Sequence, residues 1–144
     1  MMKTIKGNII HAKEDLVIHG CNCFCTMNSG VAKSIRERWP EALTADKRSE
    51  KGDINKLGTY TMVKVSPLKY VVNAYTQFNF GRDKVYLDYE ALERVLEKIN
   101  LGFYYGLSVA LPRIGCGLAG GDWEKVKPII EKTLGSRDIT IYEL

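Results

Sequence analysis

No apolar run in this chain approaches the about 18 residues that a membrane-crossing helix needs. The first residues, MMKTIKGNII, lack the long apolar segment and small-residue cleavage site of a secretory leader. The expectation is an intracellular, cytoplasmic chain with no membrane partner. An excess of one charge is lacking too. The 21 Lys and Arg residues are scattered among 17 Asp and Glu, for a net charge of +4. Such a balance leans towards an anionic ligand but falls short of the basic footprint of a dedicated nucleic-acid binder. There is no internal repeat, linker or low-complexity segment, and 144 residues suit one core, so a single domain over 1–144 is expected.

Cysteine is scarce and poorly spaced for cross-linking. Cys21, Cys23 and Cys25 crowd one segment and Cys116 stands far away, which excludes a disulfide framework and reads as reduced thiols. With His19, the first three hint at a metal. Structural zinc, however, normally draws pairs of ligands from two separated segments, and only one is available, so neither a metal nor a cofactor is expected. The glycine signatures of nucleotide folds are missing as well: there is no G-x-x-x-x-G-K-[ST] and no strict G-x-G-x-x-G.

What is present is an ordinary globular composition, 45% hydrophobic and 26% charged, in which strand and helix patterns alternate. MMKTIK reads as a first strand ending at Gly7, and Leu16 to Ile18 as a short buried one. Val31, Ala32 and Ile35 sit at helical spacing after a cap at Asn28 or Ser29, with Pro40 as the stop. GTYTMVKVS and KYVVNAYTQ are spaced as a hairpin. DYEALERVLEKINLGF lines Leu92, Val95, Leu96 and Ile99 along one helical face, LSVALP reads as a doubly buried strand, DWEKVKPIIEKTLG as a helix and DITIYEL as a last strand. This order predicts an α/β fold, a three-layer α/β/α sandwich around a mixed, mostly parallel sheet.

Three segments leave strand ends: GNI at 7–9, HGCNCFCTMNSGVA at 19–32 and RIGCGLAGGDW at 113–123. In open α/β sheets ligands gather there, where glycine exposes backbone N–H groups ahead of a helix. Four glycines within seven positions, Gly115, Gly117, Gly120 and Gly121, need positive φ or a backbone pressed against something bulky. The plain alternative is a pair of tight turns.

Taken together, GNII, HGCNC with SGVAKSI, VVNAYTQ and LPRIGCGLAGGDW resemble the macro domain, an ADP-ribose-binding family, over nearly the whole chain. Their order is similar to that in the branch containing ADP-ribose 1″-phosphate phosphatases and terminal ADP-ribose hydrolases. The resemblance implies that Asn8 meets the adenine amino group where the family commonly has aspartate, and that Ile9 offers its N–H to the ring. It implies that Asn22, beside Cys21, points at the distal ribose. Ser29, Gly30, Val31 and Ala32 would hold the first phosphate, and Ile114, Gly115, Cys116, Gly117 and Leu118 the second. Family members often carry an aromatic near the position of Ala119 or Gly121; here both are small, so Trp123, Tyr75 or Phe24 would cover that side.

The implied activity is metal-independent hydrolysis of a terminal group from an ADP-ribose derivative, with ADP-ribose 1″-phosphate as the leading substrate. The alternatives are a non-catalytic ADP-ribose reader and a hydrolase acting on ADP-ribosylated protein or nucleic acid. His19, Asn22 and Asp122 are the candidate catalytic residues: a histidine titrates near neutrality and a carboxylate can orient water. His19 reads equally as a structural histidine at a strand end, and Asp122 as the N-cap of the helix that starts at Trp123. Trp39, Tyr104 and Tyr105 read as core, and KRSEKGDINK as solvated surface.

Overall fold

The computed structural model describes residues 2–144. Six strands form one sheet: β1 (Met2–Lys6), β2 (Leu16–Cys21), β3 (Tyr60–Ser66), β4 (Lys69–Tyr75), β5 (Val109–Leu111) and β6 (Ile139–Glu143), in the order β1-β6-β5-β2-β4-β3. Every pairing is parallel except β3 with β4, the hairpin expected from the sequence. Helices cover both faces, giving the α/β/α sandwich.

Side chains alternate across a strand, and the alternation sorts the core in two. Leu16 and Ile18 of β2, Val72 and Ala74 of β4, and Val109 and Leu111 of β5 face α3 (Tyr89–Gly102) and α4 (Trp123–Leu134). Val17, Cys21, Val71, Tyr75 and Ala110 belong to the other cluster, with Ile35 of α1 (Gly30–Arg38) and Ala42 of α2 (Pro40–Lys47). Carbonyls at the end of α3 and in the turn after it, which no helix pairs, are collected by one buried cation. The Arg137 guanidinium donates to the carbonyls of Asn100, Phe103, Tyr104 and Leu107. Among the described residues no helix is long and apolar enough to cross a membrane.

Pro40 follows the end of α1 at Arg38 and Trp39, as expected of a stop, and it also opens α2 at a first-turn position, where its missing N–H costs nothing. Two expectations are corrected. Tyr104 and Tyr105 are 64% and 74% exposed rather than core, because they lie in the turn after α3, whereas Trp39 is buried as expected. KRSEKGDINK is not wholly solvated: Lys56, in a short 3-10 turn over Ile54–Lys56, folds back beneath the β2-α1 connection and is buried.

Candidate functional site

The carboxyl ends of β2, β4 and β5 open on a cleft of about 480 Å³. The β2-α1 connection supplies Cys21, Asn22, Ser29, Gly30, Val31 and Ala32 to its lining, and the β5-α4 loop supplies Ile114, Gly115, Gly117 and Leu118. The two segments singled out from sequence therefore meet.

The N-terminus of α1 has an unusual feature. Ser29 occupies the N-cap in an extended conformation, yet its hydroxyl makes no capping hydrogen bond. The first-turn amides of Gly30, Val31 and Ala32 thus keep the partial positive charge of a helix start at the cleft wall. Across the cleft, the β5-α4 loop bonds to itself: Cys116 N donates to Arg113 O, Gly120 N to Gly117 O and Gly121 N to Gly115 O, at 2.8 to 3.0 Å. The amides of Gly115, Gly117 and Leu118 have no backbone partner among the described residues. The glycines fall into distinct roles. Gly115 and Gly120 hold φ of 74° and 75°, which favours glycine, and a Cβ on Gly121 would collide with Leu87 and the Gly115 carbonyl. A Cβ on Gly117 would meet nothing within 4 Å, so there the backbone borders open space.

Asn22 is clamped by its own loop: Nδ2 donates to Thr26 Oγ1 and Oδ1 accepts from Phe24 N, both at 2.8 Å. One N–H and one lone pair of the amide remain for another partner. The loop it braces carries left-handed φ at two non-glycine residues, Cys25 at 59° and Met27 at 45°, a strained geometry of the kind found around binding sites.

Other expected site residues lie elsewhere. β2 continues through Cys21, paired with Tyr75 of β4, so His19 is a mid-strand residue on the α1/α2 side and does not line the cleft. Fully buried, its Nε2 donates to Asn73 Oδ1 at 2.6 Å, since the Asn73 amide is spent on Ala42 O and Thr61. Burial pulls its pKa from the ordinary 6.5 down to about 4, against the Asn73 hydrogen bond that raises it. Enclosed in the sheet, His19 is held away from the cleft. Asp122 is the N-cap of α4, with Oδ1 accepting from Glu124 N at 2.9 Å, and it too is outside the cleft lining. Asn8 spends its side-chain oxygen on Ile10 N, capping the turn over Ile9–His11, and Ile9 is buried in the core. Cys116 does not line the cleft; its thiol donates to Ile114 O at 3.5 Å, and burial raises its pKa.

The sequence reading missed the segment after β4. Gln77, Phe80, Gly81 and Arg82 line the cleft, and Phe80 is 52% exposed there. Phe24, Phe78 and Phe80 stack edge-on, at 5.1 Å for Phe24 with Phe78 and 6.4 Å for Phe24 with Phe80. The aromatic at the cleft is thus Phe80. Tyr75 is fully buried, and Trp123 lies beneath the Arg113 guanidinium. The strand-end rule applied to β2 and β5 applies equally to β4 and had the signal. Asp46 of α2 also joins the lining, brought there by packing alone.

A mostly parallel sheet whose strand ends carry a cleft between a helix start and a glycine-rich loop is the layout of a ligand-binding α/β domain. The chain belongs to the macro domain family, whose family model matches residues 18–130. It is 34% identical over 152 residues to a 17.5 kDa protein of Enterobacteria phage T4, covering 99% of this chain and 96% of that one. It is 28% identical over 129 residues to the DNA ADP-ribosyl glycohydrolase of Mycobacterium tuberculosis, covering 84% of this chain but only 35% of that relative's length. A solved structure from Bacteroides thetaiotaomicron superposes with a TM-score of 0.83 at 29% identity, over 100% of this chain and 98% of that one.

Proposed function

We propose that the cleft binds ADP-ribose and that the protein hydrolyses the bond joining the distal ribose to a macromolecule, protein or nucleic acid. One observation carries the reading: an uncapped helix start at Gly30–Ala32 and a loop with unspent amides at Gly115, Gly117 and Leu118 line the same cleft. Amide donors on two sides suit a diphosphate, whose charge needs several donors rather than one. With the phosphates held there, the free N–H and lone pair of Asn22 stand to align the distal sugar, and binding itself orients the scissile bond. Phe80 and Arg82 border the same opening and are suited to a ring face and an anionic chain.

The leaving group distinguishes this reading from the phosphatase that the motifs suggest first. His19, a candidate catalytic residue for that chemistry, is enclosed and already bonded to Asn73. A relative named DNA ADP-ribosyl glycohydrolase adds support for a macromolecular leaving group. The test is a single-turnover panel of ADP-ribosylated oligonucleotide, ADP-ribosylated protein, O-acetyl-ADP-ribose and ADP-ribose 1″-phosphate, with ADP-ribose binding measured by calorimetry. Release of ADP-ribose from a macromolecule is expected. Phosphate release alone returns the phosphatase reading, and binding without release of any product makes the protein a reader.

A further inference from the structure

Beneath the β2-α1 connection lies a polar cluster that the mechanism above does not use. Asp46, the last-turn carboxylate of α2, is 1% exposed. Its Oδ1 accepts from Tyr75 Oη at 2.6 Å and stands 4.0 Å from Lys56 Nζ. Lys56 in turn donates to the Cys23 carbonyl at 3.4 Å and approaches Cys25 Sγ at 3.5 Å, while Cys25 Sγ donates to the Asp46 carbonyl at 3.3 Å. The same groups that hold the carboxylate hold the loop bearing Asn22.

Asp46 Oδ2, by contrast, has no hydrogen-bond partner among the described residues, although it is buried. Buried carboxylate oxygens are almost always satisfied, so an unsatisfied one in a binding cleft points to a hydrogen-bond donor that arrives with the ligand. Asp46 belongs to the cleft lining together with Cys21 and Asn22. Cys25, whose thiol donates to the Asp46 carbonyl, is with Met27 one of the two non-glycine residues with left-handed φ among the described residues.

We propose that Asp46 Oδ2 accepts a hydrogen bond from a hydroxyl of the sugar held at the Asn22 end of the cleft, so that Asp46 sets the preference for a nucleoside diphosphate-sugar over a nucleoside diphosphate. The proposal rests on the ADP-ribose reading of the cleft. Tyr75 and Lys56 fix Oδ1 and leave Oδ2 as the carboxylate oxygen free to turn to the ligand. Burial raises the carboxyl's pKa, and the Tyr75 hydrogen bond and the Lys56 charge work against that rise.

The experiment compares ADP-ribose with ADP, which lacks the distal sugar, by calorimetric titration of the wild type and of Asp46→Asn. The variant keeps an oxygen for Tyr75 and replaces the free acceptor with a donor. The expected result is a ~10- to 100-fold loss of ADP-ribose affinity, the size of a hydrogen bond to a charged group, with ADP affinity held within about twofold. Equal losses for both ligands, or no loss for either, overturn the assignment and leave Asp46 a structural residue. A wild type that binds ADP and ADP-ribose equally overturns it too, while sparing the diphosphate cleft. A wild type that binds neither ligand removes the functional reading, and this assignment with it. Should Asp46→Asn fail to fold, the wild type is titrated with an ADP-ribose analogue lacking the distal 2″- and 3″-hydroxyls. Affinity falling to that of ADP supports the assignment, and affinity equal to that of ADP-ribose overturns it.

Discussion

Two helices, α1 and α4, begin just after strands that end on the same side of the sheet, and their N-termini are finished differently. At α4, Asp122 caps Glu124 N with its carboxylate, and at α3 Asp88 caps Ala91 N in the same way. At α1 the cap position holds Ser29, whose hydroxyl makes no such bond. A capping side chain satisfies an orphan amide and typically stabilises by ~1 kcal/mol. Leaving α1 without that contribution keeps its first-turn amides available, at the one of these three helix starts that lines the cleft. The difference separates an end that serves stability from one kept open for an anion.

The comparison can be broken first at the loop facing α1. Gly117→Glu puts a carboxylate into the open space beside the unspent amides, and it should weaken ADP-ribose binding by more than ~10³-fold through bulk and like-charge repulsion. Calorimetry reads the loss, and a melting temperature close to wild type shows that the fold survives. Wild-type affinity in the folded variant would remove the phosphate cradle.

His19 tests whether a third place carries the site. Its folded pKa of about 4 lies below the ordinary 6.5, so the unfolded chain binds the proton more readily. The stability linked to His19 is therefore fully present above pH 6.5 and is lost as the pH falls towards 4, a change of ~3 kcal/mol. Denaturant melts of wild type and His19→Gln across this range should diverge at neutral pH and converge in acid. The Asp46 carboxyl, pushed upward by burial, acts in the opposite sense in both proteins and drops out of the difference. Turnover per folded molecule should be unchanged in the variant; a ~10²-fold fall in kcat would make His19 catalytic after all.

The comparison is sharpened by making α1 resemble α4. Ser29→Asp supplies the missing cap, so the melting temperature should rise while ADP-ribose affinity falls ~10-fold, because the carboxylate competes for the same amides. A rise in both quantities would show that the open end is not used. The smallest effect is expected at the other helix: Asp122→Ala should cost ~1 kcal/mol of stability and leave ADP-ribose affinity unchanged. A large loss of binding there would mean that Asp122 reaches the ligand.

Much of the fold was readable because its signals are local. The 3.6-residue pattern of Leu92, Val95, Leu96 and Ile99 makes α3, and the strand-like runs at 60–66 and 69–75 make the hairpin. The cleft was readable in outline for the same reason, since glycines clustered directly after a strand mark a backbone that needs positive φ or a close approach. α2 was missed because its eight residues carry a weak apolar pattern and a leading proline that also suits a stop.

Sequence alone determined the α/β class, the order of the elements other than α2, the reduced cysteines and two of the loops that form the cleft. All of these follow from periodicity, backbone sterics and the spacing of residue types along the chain. Tertiary structure alone decided which side chains reach that cleft. Whether His19 turns to solvent or to core depends on where β2 stops, and that is set by its pairing with β4 as far as Cys21 and Tyr75, more than fifty residues away in sequence. Because side chains change face at every strand residue, a difference of one or two positions in that end point encloses His19 and leaves Asn22 at the mouth. Asp46 reaches the cleft only because α2 packs over β4, a long-range contact that no local pattern encodes.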